Sequence, residues 1–204
     1  MNCPYSYCYE TIDSTQDEAK RLIKAGKIKN VACISANSQT YGRGTNGRKW
    51  SSPEGSGIYL SIIHIPQNKN LFNLTTVYTQ AAGISCIEAI QEMTRIEAKV
   101  KPVNDIYYAG KKLGGILIES MLQGEKIAYL ITGIGINIKE ARYELDRDTV
   151  KPTSIEGILS KNDFNCFVKG NLVEKIVDKI CFWYDKVFDG NHDLILEKWE
   201  SLKI

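Results

Sequence analysis

Histidine is scarce in this chain, with only His64 and His192, and the six cysteines (Cys3, Cys8, Cys33, Cys86, Cys166 and Cys181) contain no Cys-x-x-Cys pair. Those two shortages exclude a zinc-finger or zinc-ribbon framework, which needs paired ligands at short spacing. Several cysteines sit among apolar residues and read as buried thiols, which suits a reducing cytoplasm better than an oxidising compartment. An excess of one charge sign is also missing. Lys and Arg number 26 against 24 Asp and Glu, a net charge of +2. No bulk field would draw in nucleic acid, so any cation that matters must act locally. No apolar run approaches a membrane span and none has the layout of a signal peptide. Repeats, low-complexity segments and linkers are absent as well. With 43% hydrophobic and 25% charged residues, the 204 residues are expected to form one soluble domain with a substantial core.

What stands out is the stretch Gly42-Arg43-Gly44-Thr45-Asn46-Gly47-Arg48-Lys49-Trp50-Ser51-Ser52-Pro53. Glycines let the backbone approach a ligand and adopt positive φ. Arg43, Arg48 and Lys49 add positive charge, and Trp50 adds a flat apolar face. That combination suits a ligand anionic at one end and planar at the other, such as a nucleotide. Around it the chain reads as alternating strands and helices. A short strand is expected near 6–10. A helix follows, capped by Ser14 or Thr15, running to about Ala25 and ended by Gly26. Strands are expected at Val31–Ala36 and Ile58–Ile65, then a long helix at Leu74–Thr94 with Val77, Ala81, Ile84, Ile87 and Ile90 on its apolar face. Further strands are expected at Ala98–Lys101, Gly115–Leu122 and Ile127–Ile138, with Gly124-Glu125 as a hairpin signal. From Thr153 the chain reads helical, closing with Leu194–Trp199. The fold class is therefore α+β, a mixed and largely antiparallel sheet backed by helices.

Four ordered blocks resemble the biotin protein ligases. The glycine-rich run is similar to that family's glycine–arginine signature. Lys101-Pro102-Val103-Asn104-Asp105, followed by Lys111-Lys112-Leu113-Gly114-Gly115-Ile116-Leu117-Ile118-Glu119, resembles its lysine–tryptophan–proline–asparagine–aspartate and lysine–leucine–glycine blocks. Gly133-Ile134-Gly135-Ile136-Asn137-Ile138 resembles its glycine–isoleucine–asparagine strand, and Asp13-Ser14-Thr15-Gln16 its first biotin-contacting turn. The resemblance runs from about Tyr9 to Trp199. It implies a catalytic domain shaped like that of class II aminoacyl-tRNA synthetases. Residues 1–204 are expected to be that domain alone, without the N-terminal helix-turn-helix or the C-terminal β-barrel that relatives add.

The activity implied is ATP-dependent ligation of biotin to a lysine of a biotin carboxyl carrier domain through biotinyl-5′-AMP, with Mg²⁺ as cofactor. The resemblance makes Arg43, Lys112 and Asp105 the catalytic candidates. It places Ser14, Thr15, Gln16, Gln39, Gly42, Arg43, Gly44, Thr45, Lys112 and Gly115 around biotin, and Arg48, Trp50, Asn104 and Asn137 around the nucleotide. No metal ligand is assigned. Neither DNA nor a membrane is expected as a partner, and an exposed edge strand would let two copies pair as a homodimer.

The residues themselves leave alternatives open. Asp105 would orient Lys112, assist a metal, help deprotonate the incoming lysine, or simply form an Asx turn. Ser14 also suits a helix cap, Asn104 a turn cap, Asn137 a satisfied strand end and Trp50 a core position; Lys111 reads as solvated. Two departures from the family pattern matter: Thr45 stands where an arginine is usual, and Pro102-Val103 replaces tryptophan–proline. They keep two other functions in view, a lipoate- or octanoate-transferring ligase and a module that holds biotinyl-adenylate without transferring it.

Overall fold

A computed structural model describes residues 6–66, 75–124, 126–141 and 151–204. Its centre is a 7-stranded sheet in the order β1-β2-β3-β7-β6-β5-β4. The strands are β1 (Ser6–Ile12), β2 (Val31–Gln39), β3 (Gly57–His64), β4 (Lys99–Lys101), β5 (Asp105–Tyr108), β6 (Lys111–Gln123) and β7 (Lys126–Asn137). Only β1 and β2 run parallel, joined across helix α1 (Thr15–Lys24); every other neighbouring pair is antiparallel. The expected class is the one observed.

Alternation along the strands decides the two faces. Ile58, Leu60 and Ile62 of β3, with Ile134 and Ile136 of β7, point into the larger core with helices α2 (Thr75–Thr94) and α5 (Lys169–Phe188). Ile63 and Ile131 point the other way and pack under Ala19 and Leu22 of α1. The same second face therefore carries Tyr59 and Ser61 of β3, Gly133 and Gly135 of β7, and Gly115, Leu117 and Glu119 of β6, by period-two register. α1 covers only part of that face, and the glycine-rich segment covers the rest.

α2 is apolar nearly all round because it is enclosed by the sheet, α5 and α6 (His192–Leu202). Gly83 permits the tightest of these contacts: a Cβ there would lie 2.6 Å from the Trp199 ring of α6. Two short helices, α3 (Ile155–Ile158) and α4 (Lys161–Cys166), precede α5. Ser154 and Ser160 cap them by accepting from Gly157 N and Asp163 N.

The strand reading misses β5. Its Ile106-Tyr107-Tyr108 core is short, and Asn104-Asp105 beside it reads as a turn. The structure pairs Tyr108 with Lys111 across a two-residue turn, with positive φ at both Ala109 (48°) and Gly110 (76°). That is the backbone of a type I′ hairpin. Gly124 turns the next hairpin with φ 63°; its neighbour Glu125 lies outside the described residues, as do Leu74 at the expected start of the long helix and Cys3. Cys33, Cys86 and Cys181 are buried as expected, whereas Cys8 and Cys166 are exposed. No described helix is long and apolar enough to cross a membrane.

One core group titrates usefully. His64, at the end of β3, is buried and stacks on Phe188 at 4.7 Å between centroids. Burial pulls its pKa down from 6.5 to about 4. Between those values the unfolded chain binds the proton and the folded chain does not, so stability falls as pH drops from about 6.5 toward 4. At pH 5 the loss attributable to His64 is about 2 kcal/mol. Urea unfolding at pH 7 and pH 5 of the natural chain and His64→Phe checks this. The variant should lose less stability over that interval, and equal losses would refute the assignment.

Candidate functional site

Between α1, the glycine-rich segment and the second face of the sheet lies a cavity of about 390 Å³. Strand glycines make the room for it and for the tryptophan that closes one wall. A Cβ at Gly135 would lie 2.3 Å from the Trp50 ring, and one at Gly115 3.1 Å. Glycine inside a strand is costly unless another group must come close, and here the close group is Trp50. Trp50 Nε1 is buried without a protein partner, and so is Ser14 Oγ at the start of α1. Both residues line the cavity. An unpaired buried donor is expensive, so both positions suit a bound polar ligand.

Lys112 and Asp105 meet at 2.7 Å (Nζ to Oδ1), and Lys112 Nζ lies 5.3 Å from the centre of the Trp50 ring. The β5–β6 hairpin creates this pair, helped by a register shift at Ile106/Tyr107 that sets Lys112 opposite Tyr107 and Asp105 opposite Gly115. The Lys112 backbone is fixed as well, donating to Lys151 O (3.1 Å) and accepting from Thr153 N (2.9 Å). The cation is thus held in a defined place while its side chain stays about one-quarter exposed (23%) toward the cavity.

The turn before α1 contributes amides and hydroxyls. Thr15 donates from N (2.8 Å) and from Oγ1 (3.2 Å) to Gln39 Oε1, and Gln39 Nε2 donates to Ser52 Oγ (2.8 Å). Ser61 Oγ donates to Gln16 Oε1 at 2.9 Å and lies 2.8 Å from Thr15 Oγ1. Ser14 occupies the cap position of α1 but makes no side-chain cap bond, so the capping alternative does not account for its hydroxyl.

The glycine-rich segment is ordered. Arg43 and Lys49 form an antiparallel bridge, Gly44 N donates to Arg48 O (2.8 Å), and Thr45–Gly47 make one 3₁₀ turn with positive φ at Asn46 and Gly47. Arg43, Gly44, Thr45 and Arg48 all border the cavity.

The structure places several of the expected site residues in more detail. Gly42 does not line the cavity; it lies behind it, where a Cβ would be 2.4 Å from Trp50 O. Its role is to let two backbone segments touch. Arg43 is partly committed to protein carboxylates. NH1 donates to Asp17 Oδ1 and NH2 to Glu119 Oε1 (2.9 Å). Burial works against its charge, yet Asp17 and Glu119 hold its pKa above the ordinary value. Gln16 has its amide committed to Ser61 and Glu119. Asn104 Nδ2 donates to Ile116 O (2.8 Å), and Asn137 Nδ2 donates to Thr153 O (2.9 Å) and Lys112 O (3.3 Å). Asn137 therefore offers a ligand only its carbonyl oxygen.

The structure also adds residues that the sequence reading passed over. Tyr107 and Ser51 line the cavity, as does Lys49, noted in the sequence only for its charge, and Ser61, Asp17 and Glu119 support it. Ser61 and Glu119 were detectable as polar residues at alternate positions in otherwise apolar strands. Among the described residues no cluster of three His, Cys, Asp or Glu could hold a metal by itself.

A mixed, largely antiparallel α+β sheet whose second face carries a cavity with a positioned lysine, unpaired buried polar atoms and an aromatic wall has the layout of a small-molecule binding domain. Comparison with known proteins narrows the class. The model of the biotin/lipoate A/B protein ligase family matches residues 8–137, and the chain belongs to that family. It is 33% identical over 135 residues to the bifunctional ligase/repressor BirA of Bacillus subtilis, covering 65% of this chain and 40% of that protein. The chain thus matches well under half the length of this relative. Its structure resembles the biotin protein ligase of Leishmania major in complex with biotinyl-5-AMP (TM-score 0.78, 28% identity, 100% of this chain and 83% of that one). It also resembles that of Aquifex aeolicus in complex with biotin and ATP (TM-score 0.79, 29% identity, 98% and 79%).

Proposed function

We propose that this chain ligates biotin to a lysine of a biotin carboxyl carrier domain at the expense of ATP. The observation that carries the reading is the Lys112–Asp105 pair beside the Trp50 wall, on a fold whose solved relatives hold biotin, ATP and biotinyl-5-AMP. In the first step a biotin carboxylate oxygen forms a bond to the α-phosphorus of ATP, and the bond to the β-phosphate oxygen breaks to release pyrophosphate. In the second, the carrier amine attacks the acyl carbon, loses a proton and expels AMP. Both reactants in the first step are anions, so a fixed cation and fixed donors lower its barrier.

Lys112 is the point charge for the carboxylate and α-phosphate, and Asp105 sets its direction. Arg43 adds donors from the loop, and Arg48 extends the positive rim. Ser14, whose hydroxyl is unpaired, faces the ureido ring, and Thr15 and Gln39, bonded to each other, fix the wall beside it. The Asn137 carbonyl oxygen suits an exocyclic adenine amine, with Asn104 and Trp50 beside it. Mg²⁺ fits this site as an ion carried chiefly by the ATP phosphates and water, since among the described residues no acidic cluster could hold it alone. Bound there, it would neutralise phosphate charge. Self-association would use the outer edge of β1, an end strand of the sheet.

The test is pyrophosphate release with biotin, ATP and Mg²⁺, with and without a carrier domain, and with lipoate replacing biotin. Biotin-dependent release with transfer to the carrier lysine is expected. Release with lipoate alone, or biotinyl-adenylate formed and held without transfer, would replace this reading with one of the two alternatives.

A further inference from the structure

Glu119 lies on β6 beside the cavity and receives three donors from two other elements. Oε2 accepts from Gln16 Nε2 of α1 (2.9 Å). Oε1 accepts from Lys20 Nζ of α1 (2.9 Å) and from Arg43 NH2 of the glycine-rich segment (2.9 Å). Asp17 of α1 takes the other terminal nitrogen of Arg43. The four charges of this group cancel, and none of the four side chains exceeds about a third exposure (Glu119 23%, Asp17 31%, Arg43 34%, Lys20 35%). Partial burial reduces screening relative to open surface pairs.

Two consequences follow from the geometry. The Gln16 amide cannot flip, since Glu119 holds its nitrogen and Ser61 its oxygen, and its Cδ lies 3.0 Å from where a Cβ of residue 133 would sit. Arg43 carries five N–H donors, and the two bonds to Asp17 and Glu119 orient its plane while leaving the others for the cavity it borders. A carboxylate on a sheet face shared with Ile131 and Ile63 is costly to bury without such partners.

We propose that Glu119 is a positioning residue: it pins the glycine-rich segment to α1 and β6 through Arg43 and so aims the remaining Arg43 donors at the ligand carboxylate. That the ligand is biotin rests on the function proposed above; the pinning does not. Neither Glu119 nor its oxygens need touch the ligand for this role.

The test compares the natural chain, Glu119→Ala, Arg43→Ala and the double variant. Two readouts are taken: the dissociation constant for biotin, and the rate of tryptic cleavage after Arg48 and Lys49 under native conditions. Glu119→Ala should weaken biotin binding roughly tenfold or more, as loss of charge-assisted bonds does. It should also speed cleavage several-fold with the unfolding midpoint little changed. In the Arg43→Ala background the same substitution should add less than about twofold to either readout, because coupled residues are not additive. Additive effects, or faster cleavage throughout the chain, would make Glu119 a general stabiliser and overturn the proposal. Glu119→Gln keeps an acceptor for Arg43 without the charge and should fall between; it carries the test if Glu119→Ala does not fold. Absence of pyrophosphate release by the natural chain would refute the ligase reading, while the cleavage rates would still decide the role of Glu119.

Discussion

Lys112→Ala should slow biotin-dependent pyrophosphate release by about 10²–10³-fold, the usual result of removing one preorganised donor from a site of developing negative charge. The structure argues for the upper end of that range. Lys112 is paired with Asp105 at 2.7 Å. Its removal takes away a cation and also leaves a bare carboxylate facing two anionic reactants. Adding Asp105→Asn to Lys112→Ala should therefore recover part of the loss. Stability should change far less than the rate, because both side chains still reach solvent (23% exposed) and the pair is only partly desolvated. Pre-steady-state pyrophosphate release and urea unfolding of the three proteins measure both effects. An unchanged rate would reduce Lys112 to a turn residue that happens to stack near Trp50. A second substitution that lowers the rate further would mean Asp105 does more than orient Lys112.

Thr45→Arg should slow dissociation of biotinyl-adenylate roughly tenfold to a hundredfold, the equivalent of one hydrogen bond to a charged group at about 1.5–3 kcal/mol. Thr45 borders the cavity, so a cation there would be within reach of the ligand. In the natural chain its Oγ1 accepts from Arg48 NH2 (3.0 Å) and its carbonyl accepts from Arg48 Nε (3.3 Å). The loop thus folds Arg48 back onto itself through Thr45. With arginine at 45 the hydroxyl contact goes while the backbone-carbonyl contact remains, so only the Arg48 NH2 donor is released. Tighter retention should also reduce stray labelling of a bystander protein by escaped anhydride. The dissociation rate of biotinyl-adenylate from both proteins decides the matter. Equal rates would show that Arg48 or Lys112 already supplies the charge, or that residue 45 does not meet the ligand.

The family and most of the fold were legible in the linear chain. Strand and helix positions follow from local composition and run length, which each segment carries within itself: Ile58–Ile63 is a short β-branched and aromatic run, Ala81–Ile90 belongs to a long, largely apolar stretch without proline, and Ile127–Ile138 is β-branched and follows a hairpin signal. Gly133 and Gly135 mark close approach because glycine in a strand has few other uses. Gly42, by contrast, shares a motif with Gly44 but lies behind the cavity, since the motif does not encode which face each glycine presents.

What only tertiary structure decided is how polar groups are partnered. Spacing brings Asn104 and Asn137 to notice but cannot say that their N–H groups are committed to Ile116, Thr153 and Lys112 carbonyls. It singles out Arg43 as a cation, yet the carboxylates that hold it come from positions 17 and 119, one on a helix and one across the sheet. β5 was missed because four residues with a weak pattern become a strand only when β6 is present to pair with them. Local composition is a property of neighbours in sequence and survives in one dimension. Hydrogen-bond partnership and charge neutralisation depend on separations of a few ångströms between residues far apart in the chain, and those separations exist only once the sheet has formed.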